Sequence, residues 1–155
     1  MKYLGIDYGD ERVGLAVCDS AETMAFALET LERKLLPTKA LFFDALLKII
    51  AEEAVEGVVI GLPLPLDPKE VHNHNAEEPL SCRKARNFAA RLGRRIALPI
   101  YLVNEALSSA EAERRLQAAG FKRDKLKAKL DAEAAAVILQ QFLNSPPEQR
   151  QIYEP

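Results

Sequence analysis

The chain has 155 residues, 48% of them hydrophobic and 28% charged, which suits one globular domain with a single sizeable core. A net charge of −2 gives no overall basic excess, and two cysteines are too few for a disulfide framework. No apolar run approaches the ~20 residues that cross a bilayer, and Met1-Lys2-Tyr3 enters the first β-rich run without room for a signal peptide, so a cytoplasmic protein is expected.

Residues 3–8 and 12–18 are β-rich runs joined by Gly9-Asp10-Glu11, a short polar turn that suits a hairpin. A third strand with weak alternation is expected over Ala25 to Glu32. From Pro37 to about Glu53 the period changes: Leu41, Phe42, Ala45, Leu46, Ile49 and Ile50 form one helical stripe, with Pro37 suited to the first turn. "GVVIG", from Gly57, is an unbroken apolar run of the kind buried on both faces of a sheet. Residues 63–79 contain four prolines and neither period, a stretch long enough to suggest a functional or mobile loop. A helix is expected from Leu80 to Arg95 and a strand at 99–103. Ser108 and Glu111 form a capping-box pair that would start another helix near Ser109, with Gly120 placed to end it. The last helix runs to about Phe142 through "LDAEAAAVILQQFL", and residues 145–155 read as a flexible C-terminal tail behind a single domain, 1–144.

This order, β-β-β-α-β-α-β-α-α, implies an α/β fold: three antiparallel strands, then parallel crossovers, in one mixed sheet with helices on both faces. It is the strand plan of the ribonuclease H-like fold, from which function does not follow without a site.

The even charge balance hides a segregation. Residues 83–95 carry six basic side chains and no acid, and residues 114–129 carry seven with only Asp124 opposing them. Thirteen of the 21 Lys and Arg therefore fall in two short segments, which form either a basic footprint for a polyanion or two solvated helix faces.

Three acids occupy positions that should face the core or the sheet's edge. Period-two alternation puts Tyr3, Gly5 and Asp7 on one face of the first strand, and Gly5 leaves space over the sheet beside the acid. A buried carboxylate there must be protonated, paired with a base such as Arg12, or bound to a cation. Alternation through Tyr101 and Val103 puts Glu105 just past a strand's C-terminal edge, where ligand sites of open α/β sheets lie. Asp131 begins the helical stripe 131, 135, 138, 142 that should pack on the sheet, although a helix N-cap is its alternative role. An all-oxygen set without Cys or His suits Mg²⁺ or Mn²⁺, one or two ions, rather than Zn²⁺.

The motifs resemble those of the YqgF (RuvX) family. "GIDYGDERVGLAV" is similar to its D-[YF]-G-x-x-R-x-G opening, and "VVIGLPL" to its central strand and loop. "VNEALSSAEAE" is similar to its D-E-R-x-[ST]-[ST]-x-x-A segment, and "LDAEAAAVILQQFL" to its final helix, so the resemblance spans nearly the whole chain. It implies a ribonuclease H-like hydrolase that matures the 5′ end of pre-16S rRNA during ribosome biogenesis, with Holliday-junction resolution of branched DNA as the alternative. It also implies that Asp7, Glu105 and Asp131 are the catalytic, metal-binding acids and that Arg12 stands beside them as a phosphate clamp. Ser108, Arg83, Lys84, Arg86, Lys122 and Arg123 are the further candidate nucleic-acid contacts, and ribosomal precursor particles are possible partners for a monomer or homodimer with no membrane role. Four positions depart from the pattern: Asn104 replaces Asp, Ala106 replaces Arg, Pro65 replaces Asn and Pro68 displaces Gly.

Those departures leave open a nucleic-acid-binding module with a silent site. A third reading takes "DYGDERVG" as the phosphate hairpin of an actin- or sugar-kinase-like ATPase, but those proteins close two such domains on one nucleotide. His72 and His74 read as loop residues, Cys18 as strand packing, and Phe88, Leu92 and Ile96 as core stripe rather than a base-stacking platform.

Overall fold

The structure, a computed structural model, describes residues 1–63, 79–104, 114, 117, 118 and 123–154. Six strands form one sheet: β1 (Tyr3–Tyr8), β2 (Arg12–Cys18), β3 (Ala25–Glu32), β4 (Gly57–Leu62), β5 (Ile100–Asn104) and β6 (Gln151–Ile152). Their spatial order is β3-β2-β1-β4-β5-β6. β1–β2 and β2–β3 are antiparallel, β1–β4 and β4–β5 parallel, and β6 runs antiparallel to β5. The helices are α1 (Lys39–Glu52), α2 (Leu80–Gly93) and α3 (Arg123–Asn144). This is the expected mixed α/β sheet, and the first three strands keep their expected bounds. The helix expected near Ser109 to Gly120 lies outside the described residues.

Alternation along β1 sorts the core into two layers. Leu4 and Ile6 join Val13, Leu15, Val58 and Ile60 against α1 and α2, whose Phe42, Leu46, Phe88 and Leu92 are fully packed. Tyr3, on the opposite face, joins Ala16, Val59, Ala135, Ile138, Leu139 and Phe142 of α3, with Tyr101 and Val103 at the margin. β4 is buried along its whole length, as its unbroken apolar run requires of a strand covered on both faces.

Some local features differ from expectation. The cap of α1 is Thr38, whose hydroxyl accepts from the Leu41 amide at 3.1 Å, so Pro37 precedes the helix rather than entering its first turn. A 3₁₀ turn, Arg33–Leu35, links β3 to that cap. α3 begins at Arg123, eight residues before Asp131, which removes the N-cap role for that acid. Residues 145–154 do not hang loose: Pro147–Gln149 is a 3₁₀ turn and Gln151–Ile152 pairs with β5. Arg150 lies 4.4 Å above the Phe142 ring and bonds Glu22 at 3.0 Å.

Candidate nucleic-acid cleavage site

The parallel strands β1, β4 and β5 end along one edge of the sheet. Ile6 is level with Ile60 and Ile60 with Leu102, so the next step along β1 brings Asp7 to the rim where β5 ends at Asn104. Asp7 is half-buried there, not sealed in the dry centre of the sheet as the sequence suggested. Burial falls from complete at Ile6 to partial at Asp7 and Tyr8, which lowers the desolvation cost of a charge at this position.

Two glycines decide what stands over Asp7. A Cβ at Gly5 would lie 2.8 Å from Leu139 Cβ and 2.9 Å from the Ala135 carbonyl oxygen, so α3 rests directly on β1. Gly14 is the register partner of Asp7 on β2, and a Cβ there would overlap the carbonyl of Asp131 and approach the Ala132 amide to 2.8 Å. Register partners in an antiparallel pair point to the same face. The acid on β1 and the acid on α3 are therefore brought to one face and one edge. α3 crosses with Leu139 and Ala135 over Gly5 and Asp131, one turn earlier, over Gly14 beside Asp7.

Arg12 closes this corner. Its Nε donates to Asp131 Oδ2 at 2.8 Å, across the gap between the first hairpin and α3. The Asp131 side chain is 23% exposed and that of Arg12 43%. The sequence allows Arg12 to neutralise Asp7; the structure gives it Asp131 as a partner. Arg12 also lines, with Asp10, Glu11, Glu32, Arg33 and Lys34, an open cavity of about 480 Å³ at the hairpin tip.

On the other face, α2 supplies basic groups to the same edge. The Tyr8 ring, next to Asp7, stacks on Phe88 with centroids 4.4 Å apart, and Arg33 donates to the Tyr8 hydroxyl at 3.1 Å. That contact holds the middle of α2 against the hairpin, and one turn earlier Lys84 Nζ pairs with Asp10 at 2.9 Å. Arg83 is exposed on the same half of the helix, which also carries Arg86. Arg91 belongs to the far half, and Arg94 and Arg95 follow its end. They donate to the carbonyls of Asn87, Ala90 and Arg91, and Arg94 lies beside Leu98, Pro99 and Ile100 at the opposite edge.

Of the expected site residues, the structure brings together Asp7, Arg12 and Asp131, with Lys84 at the hairpin tip. Glu105, Ser108 and Lys122 lie outside the described residues, and the Arg123 side chain is likewise not described. Among the described residues no three His, Cys, Asp or Glu side chains converge on a point. Asp7 and Asp131 fit a hard divalent cation by the chemistry of their donors: oxygen only, anionic, and delivered to one half-exposed edge. The residue that sequence reasoning missed is Gly14. A glycine in a strand interior signals a close approach, and its place opposite Asp7 in a short hairpin was readable.

A family model described as RuvX, Holliday junction resolvase, matches residues 1–145. A protein of Oleidesulfovibrio alaskensis named "Putative pre-16S rRNA nuclease" is 47% identical over 150 residues, covering 97% of this chain and 96% of that one. A protein of the same name from Anaeromyxobacter sp. (strain K) is 41% identical over 144 residues, covering 93% and 97%. Among solved structures, Thermus thermophilus RuvC in complex with a Holliday junction substrate superposes with a TM-score of 0.59. That match covers 99% of both chains at 15% identity, a likeness of fold.

Proposed function

Because this chain belongs to the RuvX family, we propose that it is a metal-dependent endonuclease that hydrolyses phosphodiester bonds in structured nucleic acid. The substrate we assign is pre-16S rRNA, which the names of its relatives carry, and within it the 5′ flank. The observation that supports this most is the Gly14 contact, which seats Asp131 over the strand partner of Asp7. Nuclease folds of this kind generally use divalent metal ions, and Asp7 and Asp131, with Glu105 as the third acid, are the residues we assign to hold Mg²⁺ or Mn²⁺. Bound there, such ions would polarise the scissile phosphate and lower the pKa of an attacking water.

The remaining work falls to the protein's own side chains. A site of clustered acids repels a polyanion, so cations must flank it to admit one. Arg12 stands on the α3 side, and Arg83, Lys84 and Arg86 on the α2 side, positioned to take backbone phosphates on either hand of the acids. Such contacts fix the strand's position without reading its bases. Tyr8 is committed to its stack on Phe88, so cleavage position would be set by the shape of the substrate rather than by base stacking.

The deciding experiment incubates the protein with a pre-16S rRNA 5′-flank fragment and, in parallel, a four-way DNA junction, each with Mn²⁺. The RNA should be cut and Asp7→Asn should abolish cutting, by at least a hundredfold, with an unchanged circular dichroism spectrum. Cleavage of the DNA junction alone would reassign the substrate to branched DNA, as the family description has it. Binding without cleavage of either, under any divalent metal, would leave a nucleic-acid-binding module.

A further inference from the structure

The Arg12–Asp131 pair sits on an acid assigned to a cation, and the two uses of that carboxylate conflict. Arg12 Nε donates to Asp131 Oδ2 at 2.8 Å. A guanidinium in that position places a positive charge against the carboxylate that a divalent ion would have to approach. The pair is open to solvent on the arginine side, 43% exposed, so it is screened, weak and readily exchanged. The Asp131 backbone is held by its seat on Gly14, whereas Arg12 lies at the start of β2, on the open cavity of the hairpin tip.

We infer that Arg12 and a divalent cation exclude one another at Asp131, so that loading the cation releases the Arg12 guanidinium to a substrate phosphate. Without the cation, Arg12 satisfies Asp131 and keeps the edge from presenting its full negative charge. With the cation, the acid changes partner and the freed fork, pre-set beside the edge, can take two phosphate oxygens. Binding of cation and of substrate are thereby coupled through one side chain, and by linkage each should strengthen the other. This rests on the reading of Asp7 and Asp131 as a cation site.

Mn²⁺ titration calorimetry on the full chain tests it without reference to cleavage. Arg12→Gln should bind Mn²⁺ roughly fivefold more tightly than the natural chain, the scale of removing one adjacent, partly screened charge. Lys34→Gln, which removes a positive charge from the same cavity but not from Asp131, should stay within about twofold, as expected of a well-screened surface charge. In the unmodified chain, the Arg12 Nε–H nuclear magnetic resonance should shift on Mg²⁺ titration with the midpoint of cation binding. An unchanged or weaker Mn²⁺ affinity in Arg12→Gln, with binding lost in Asp131→Asn, would overturn the exchange and leave the cation site standing. So would an Arg12 resonance indifferent to Mg²⁺. Absence of Mn²⁺ binding in the natural chain and in Arg12→Gln alike would remove the cation site itself, and the exchange with it.

Discussion

At the scale of single residues, the site depends as much on atoms that are missing as on those that react. Gly14 carries no functional group, yet any side chain there would strike the Asp131 carbonyl, and backbone on backbone has little room to yield. Gly14→Ala should therefore cost about 1–3 kcal/mol, the usual range for overpacking, by lifting the start of the α3 contact off β2. Urea unfolding measures that loss, and Mn²⁺ calorimetry should show cation affinity falling in step as Asp131 moves away. An unfolding midpoint equal to that of the natural chain would show that α3 accommodates a methyl group here. Asp7 and Asp131 could be picked out from face arithmetic alone, since periods of 2 and 3.6 place them without tertiary knowledge. The partner of Arg12 could not. It lies 119 positions along the chain, and only the height at which α3 crosses the sheet decides which acid the guanidinium meets.

At the scale of elements, α1 shows how an end can be strained while its core is sound. The helix ends at Glu52 with Glu53 as its C-cap, Ala54 adopts a left-handed φ of 51°, and the Val55 amide reaches back to the Ile50 carbonyl at 3.2 Å. That six-to-one bond and the buried Val55 side chain mark a Schellman ending with alanine where glycine would sit without steric cost. Ala54→Gly should stabilise the protein by about 0.5–1 kcal/mol, relief of the left-handed penalty outweighing the entropy glycine brings to the unfolded chain. A fall in the thermal unfolding temperature would contradict this. Legibility varied among elements for the same kind of reason. β1, β2 and β3 are bounded by polar turns, so their limits could be read locally. The N-terminal turns of α3 are lysine-rich, with Leu126 and Leu130 as their only large apolar residues ahead of Asp131, which is why a cap at that acid was an alternative. β6 has two residues, too few for any period, and exists because β5 would otherwise end the sheet with unpaired backbone groups.

At the scale of the whole molecule, a net charge of −2 conceals an uneven surface, and the fold divides even the basic helix α2 between two edges. Its first half reaches the hairpin tip through Lys84, and its C-cap residue, Arg94, lies at the opposite edge. Lys84→Gln should weaken binding of RNA and DNA by a similar factor and flatten the logarithmic salt dependence by about one phosphate contact. Arg94→Gln should leave both near the natural values. Fluorescence anisotropy across a salt series measures the two together, and equal losses from both variants would refute a one-edged footprint. The segregation of charge was visible in the sequence, but its sorting by edge needed the Tyr8–Phe88 stack that anchors the middle of α2 on the hairpin. The seating of α3 on two glycines carries a consequence for how such a chain can change over time. Asp131, Ala135 and Leu139 meet the sheet at steps of four, so the helix is keyed to the strands in a single rotational phase. Inserting one residue between Asp131 and Ala135 would turn the acid by about 100° while the downstream contacts stayed in place. Length changes are thus excluded inside those two turns, where a single codon would separate a folded protein from a working one.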